Sequence, residues 1–426
     1  MAGDEENHRV FASDSTRAFF GDLTDRVGVW AGRPILILSP EPDPKNSAAF
    51  EKHKELFREY IKYIDNGEAI DEGNFNKFAK NLYDIANEDQ EYQITRYSNQ
   101  GAAPRTATIY TIPLHWTKED LAASLSGLPK EVFLDSLPGS DLEWHAFSMM
   151  HESIHTGEPY MGSKNGTAAR LPVEVRGDQG AIALYNREVE NGLLQTKEVP
   201  QARMAIRALG AFISSADSHV TGAAVQSPNE TEPQGGTGEY FVHHLDQTKN
   251  AIIAEAGRVL LQPLDRMIAI GETVNTLQEN ISDSDKEILE AARRDNSLLG
   301  DEHAFSKKIE SLSNSAKEAL EESLNAQTIS RGELEIYKSD SHGTISLKDP
   351  QLLYVMARKL YDRGDFNGAD KAIQKQYVYE FLDASDKYAS GYFGTKNGPT
   401  TVLEPPVAPG SEIQPQAIAT PTLTTP

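Results

Sequence analysis

The run His151-Glu152-Ser153-Ile154-His155 constrains this chain more than any other stretch, because two histidines four residues apart share one side of a helix. Imidazoles so placed can hold a single zinc ion, and the glutamate between them lies close enough to polarise a water on that metal. Phe147, Met150 and Ile154 form an apolar stripe on the same helix, with His151 and His155 along its edge. The histidines therefore face the protein interior, where a metal is shielded. A catalytic zinc needs a third protein ligand and leaves its fourth position for water. With 0 cysteines in 426 residues, that ligand cannot be a thiolate. Disulfides and a cysteine nucleophile are excluded with it.

Candidates for the third ligand lie downstream. Glu174 follows His155 by nineteen residues, and Asp178 comes four further on, so both carboxylates sit on one face of a second helix. One can coordinate the metal while the other accepts the free N–H of a ligating imidazole and fixes its tautomer. His219, in the turn-like stretch SSADSHVT, is the rival third ligand. It is also the first candidate to stabilise an oxyanion, ahead of His243, His244, Tyr185 and Arg176. Spacing alone leaves Glu174, Asp178 and His219 open as ligands.

An H-E-x-x-H helix followed by E-x-x-x-D resembles the gluzincin-type zinc metallopeptidases, over roughly residues 141–190. The resemblance implies His151, His155 and Glu174 as zinc ligands, Glu152 as general base and Asp178 as the group orienting an imidazole. It implies cleavage of amide bonds in peptide or protein substrates. The chain departs from such a pattern at Gly177 and Gly180, each costing about 1 kcal/mol against alanine in a helix interior. Gly157 is a further departure. The metzincin extension fails, since Glu158 and Met161 stand where glycine and histidine are required.

Periodicity organises the rest as an α+β protein, mainly α: a zincin-like catalytic region with a small N-terminal sheet and a helical C-terminal region. Arg33–Ser39 and Thr106–Trp116 read as strands, with helices over Ala48–Ile64 and Asn74–Ile85 between them. Thr117 and Asp120 make a T-x-x-D capping box for a short helix. The histidine pair belongs to a helix over Leu142–Thr156. The carboxylate pair belongs to one expected to start near Pro172 and end near Leu194, and a third covers Pro200–Ser214. Residues 1–15 read as a disordered terminus and 16–224 as the catalytic domain. A linker over 225–239 (VQSPNETEPQGGTGE) precedes helices over 240–395, which would cover or flank the cleft. The Pro/Thr-rich tail 396–426 lacks large apolar groups and is expected to be disordered.

A formal net charge of −23 repels phosphate backbones and anionic head groups, so neither nucleic acid nor a membrane surface is an expected partner. The first ten residues lack the apolar core of a secretory signal, and no window reaches eighteen uninterrupted apolar residues. These features predict a cytoplasmic protein, with leaderless export left open. The rival class is a non-catalytic helical scaffold whose histidine pair is structural. Oligomeric state is not legible.

Overall fold

Four strands and their flanking helices seat the histidine helix. The computed structural model describes residues 8–40, 45–64, 72–87, 93–98, 106–156, 167–213, 237–256, 262–330, 350–364, 366 and 371–394. Strand β1 (Val10–Ala12) leads into α1 (Asp14–Phe20) and α2 (Leu23–Ala31), then β2 (Ile35–Leu38), α3 (Ser47–Ile64) and α4 (Glu72–Asn87). Next come β3 (Gln93–Ser98), β4 (Thr106–Thr111) and α5 (Lys118–Ser126). The strands form one sheet in the order β1-β2-β4-β3; β1, β2 and β4 are parallel, and β3 runs antiparallel on the β4 edge.

Alternation along the strands separates two faces. Phe11, Leu36, Leu38 and Ile109 pack with Phe57, Tyr60 and Ile61 of α3 and with Phe75, Ala79 and Leu82 of α4. Burying such a set stabilises by roughly 1.5–3 kcal/mol per large side chain. The other face carries Ile35, Ile37 and Tyr110, all 0% exposed. On that side lies α6 (Asp141–His155), the helix of the histidine pair.

Two more helices complete the surroundings of α6: α7 (Thr167–Glu190) and α8 (Val199–Ile213). The described residues within 8–242 and 383–394 form one compact unit. Those within 243–382 form the second. Its described helices are α9 (Thr237–Ala256, from His243 onward), α10 (Gln262–Leu277), α11 (Asp283–Arg294), α12 (Asn296–Gly300), α13 (Glu302–Ile309), α14 (Asn314–Ser330), α15 (Pro350–Arg363) and most of α16 (Lys371–Tyr388). The last turns of α16 and the short α17 (Ser390–Phe393) belong to the first unit. In the second unit Ala269, Ile270, Leu289, Phe305 and Leu320 gather into a core of their own.

The described protein is therefore mainly helical with one small sheet, as the periodicity implies. Several local expectations differ. Val10–Ala12, read as part of a disordered terminus, pairs with β2. The helix expected to start near Pro172 starts at Thr167, so Pro172 lies inside it. Leu171, 1% exposed, anchors that early turn by burial. Thr237, read as part of the linker over 225–239, already belongs to a helix that runs to Ala256. His219, residues 225–236 and the tail from 396 lie outside the described residues. No described helix is long and apolar enough to cross a membrane.

Candidate metal centre

Helix α6 begins with a capping box. Ser140 Oγ accepts from the Glu143 N–H, and the Glu143 carboxylate accepts from the Ser140 N–H. Glu143 Oε1 also accepts the backbone N–H groups of Gln195 (3.0 Å) and Thr196 (2.7 Å), just past the end of α7. Burial works to raise the pKa of this carboxyl, but the N–H groups of Ser140, Thr196 and Gln195 outweigh it and hold it below the ordinary carboxylate range. The start of α6 is thereby pinned to the end of α7, which makes the two helices antiparallel. Their far ends then bring the histidines to the downstream acids.

Helix α2 buttresses both. The Thr156 hydroxyl donates to the Ala31 carbonyl (3.2 Å). Glu188 of α7, fully buried, accepts from the Trp30 indole N–H (2.9 Å) and pairs with Arg26 (2.6 Å). Helix α8 closes the third side, with the Arg203 guanidinium 5.4 Å from the Trp144 ring and 5.0 Å from the Phe147 ring.

Among the described residues, His151, His155 and Glu174 form the one group of three such side chains whose donor atoms lie within 4.8 Å of one another. His151 Nε2 lies 2.9 Å from His155 Nε2 and 3.1 Å from Glu174 Oε2. His155 Nε2 lies 3.7 Å from the same oxygen. Zinc–donor bonds of about 2.0–2.1 Å at tetrahedral angles require donors about 3.3 Å apart. The three separations bracket that edge length, so the spacing of the donors fits a zinc ion.

Asp178 stands behind the donors. Its Oδ1 lies 2.9 Å from His151 Nδ1, which leaves Nε2 directed at the centre of the group. It is 0% exposed and lies 3.4 Å from an Arg207 amino group, itself buried. Burial pulls the His151 pKa down, but the Asp178 charge and the bonds to Asp178 and Glu174 overcome it, and the net value rises to about 9. Without metal, a proton on His151 therefore supplies part of the positive charge that the two carboxylates demand.

Glu152, between the two histidines in the chain, is partly exposed. Beside it, on the sheet, is Tyr110. Burial raises the Tyr110 pKa well above its ordinary value, the nearby Ser153 hydroxyl offsets some of this, and the Glu152 carboxylate adds to the rise. This phenol therefore stays protonated next to the proposed base.

The remaining candidates are dispersed. The Tyr185 hydroxyl donates to the Thr196 carbonyl (3.0 Å) and lies 3.4 Å from Glu143, at the opposite end of the α6–α7 contact from the histidines. It cannot meet an oxyanion at the metal group. Arg176 is exposed on α7. His243, exposed, pairs with Gln247 (2.8 Å), and His244 is buried; both belong to the second unit. Sequence reasoning did not reach Arg207 or Tyr110. Arginine at 203 and 207, four apart in the otherwise apolar RMAIRALGAF, is the signal that could have found Arg207. Comparison with protein-family models, with curated proteins and with solved structures finds no match for this chain.

Proposed function

We propose that this protein is a zinc-dependent hydrolase, a metallopeptidase of gluzincin type acting on peptide or protein amide bonds. The observation that carries the reading is the convergence of His151, His155 and Glu174 at tetrahedral spacing, with Asp178 on the back nitrogen of His151. Zinc held there would lower the pKa of a coordinated water to about 7 and polarise a carbonyl. The protein's own residues supply the remainder. Glu152 would take a proton from the attacking water and return it to the amine nitrogen as the C–N bond breaks. Asp178, backed by Arg207, keeps the His151 proton on Nδ1.

One observation favours a second reading. His151, Glu174, Asp178 and Arg207 already satisfy one another without a metal, as in a purely structural ion-pair cluster. The test is elemental analysis of protein purified without chelator, together with cleavage of a mixed peptide library followed by mass spectrometry. The hydrolase reading expects about one zinc per chain. Glu152→Gln should keep the zinc and lose cleavage by about 10²- to 10⁴-fold. A metal-free protein whose stability ignores chelators would overturn it in favour of the scaffold.

A further inference from the structure

Helix α7 carries glycine at 177, one residue before Asp178 and three after Glu174. A Cβ added there would lie 2.8 Å from His151 Cε1, from His155 Cε1 and from His155 Nε2. Carbon and nitrogen do not approach so closely without repulsion. The third of these atoms is itself one of the donors. At Gly180, one turn on, the atoms nearest an added Cβ all belong to Ile154, with its Cγ1 at 2.5 Å and its Cδ1 at 2.6 Å. Both glycines let the helices approach, but they make room for different things.

We infer that Gly177 is a positioning residue of the metal centre: its missing side chain is the space into which both imidazole rings are packed. This rests on the reading of His151, His155 and Glu174 as metal ligands. The physical reason lies in what can yield. The three atoms nearest the site of the absent Cβ are all at the ends of two side chains. An alanine at 177 is therefore relieved by rotating the rings, which leaves the helices in place and takes Nε2 of each histidine off the common centre. Alanine is also the better helix former. The chain thus keeps a weaker helix residue where the rings require it.

The experiment uses the full chain and zinc itself, titrated against a chromophoric chelator, with thermal midpoints of the metal-free proteins in parallel. Gly177→Ala should retain wild-type helical circular dichroism and bind zinc about 10- to 100-fold more weakly. Gly180→Ala should lower the midpoint yet bind within about threefold of wild type. In a His151→Ala/His155→Ala background the rings are gone, so Gly177→Ala should raise the metal-free midpoint more than it does with the histidines present. Zinc affinity unchanged in Gly177→Ala, or lost equally in Gly180→Ala, overturns the inference, as does an equal midpoint shift in both backgrounds. Should the wild-type chain bind no zinc, the hydrolase reading fails, and the midpoint comparison alone decides whether Gly177 makes room for the rings.

Discussion

Behind the three donors, the Arg207 guanidinium and the Asp178 carboxylate are buried together 3.4 Å apart. Removing one partner of such a pair leaves an uncompensated charge. Arg207→Met should therefore destabilise the metal-free protein by about 3 kcal/mol, measured by urea denaturation. Saturating zinc should recover part of that loss, because the dication supplies the missing positive charge. His145, in the middle of α6, makes a second test. Its Nε2–H donates to the Trp116 carbonyl (2.9 Å), and burial pulls its pKa down to about 4 despite that bond. Unfolded, the ring titrates near 6.5, so between those values the unfolded chain binds more protons. Stability from this residue is complete above pH 6.5 and falls as pH drops toward 4, by about 2 kcal/mol between pH 7 and 5. Denaturation midpoints across that range should show a shallower slope in His145→Gln. The lowered pKa of His145 was not legible in the sequence, since burial among residues distant in the chain sets it.

At the level of elements, the antiparallel pairing of α6 with α7 is what gathers the site. Glu143 ties the start of one to the end of the other through the N–H groups of Gln195 and Thr196. Glu143→Gln keeps the shape but loses the charge-assisted bonds, at a cost of about 2 kcal/mol at neutral pH. The folded carboxyl has a lowered pKa, so its contribution is present above the ordinary carboxylate range and is lost as pH falls through the folded value. The difference between wild type and variant should accordingly shrink in acid, as read by chemical denaturation at pH 7 and pH 3. Much at this scale was legible. Thr117 and Asp120 form both bonds of the capping box that their spacing announces. The aliphatic run read as a strand over Arg33–Ser39 is strand β2, Ile35–Leu38. The start of α7 was not, because proline marks a first turn only when the residues before it are not helical, and Thr167–Leu171 are. Gly177 and Gly180 argue locally against a continuous helix, yet α7 runs through both. Close packing on the histidine helix outweighs the propensity penalty there.

Across the whole molecule, the metal group and the sheet belong to one compact unit, while α10 to α14 carry a separate core in the other. Zinc at about 100 times its Kd would stabilise the unit that binds it by about 2.7 kcal/mol. Hydrogen exchange should therefore slow across α6 and α7 on adding zinc and stay unchanged across α10 to α14. Protection spread evenly over both units would argue that the binding site lies elsewhere. The division itself was only partly readable. The break before the C-terminal helices is marked by proline and glycine, but nothing in residues 383–394 announces that they return to the first unit. That return depends on contacts such as the Ser136 hydroxyl donating to the Tyr388 carbonyl (2.9 Å), between residues remote in the chain.

From the order of residues alone came features that depend on near neighbours: two imidazoles on one helical face, two acids on another, the Thr117–Asp120 capping box, the apolar strands and the exclusion of sulfur chemistry. Tertiary structure decided which partners meet. It paired β1 and β3, whose short or polar sequences form strands only against β2 and β4. It also chose Glu174 to join the histidine donors, set Asp178 behind them and took Tyr185 away. The reason is range: helical spacing acts over a few residues, whereas donor separations of 2.9 to 3.7 Å across α6 and α7 exist only once buried surfaces have locked the helices side by side.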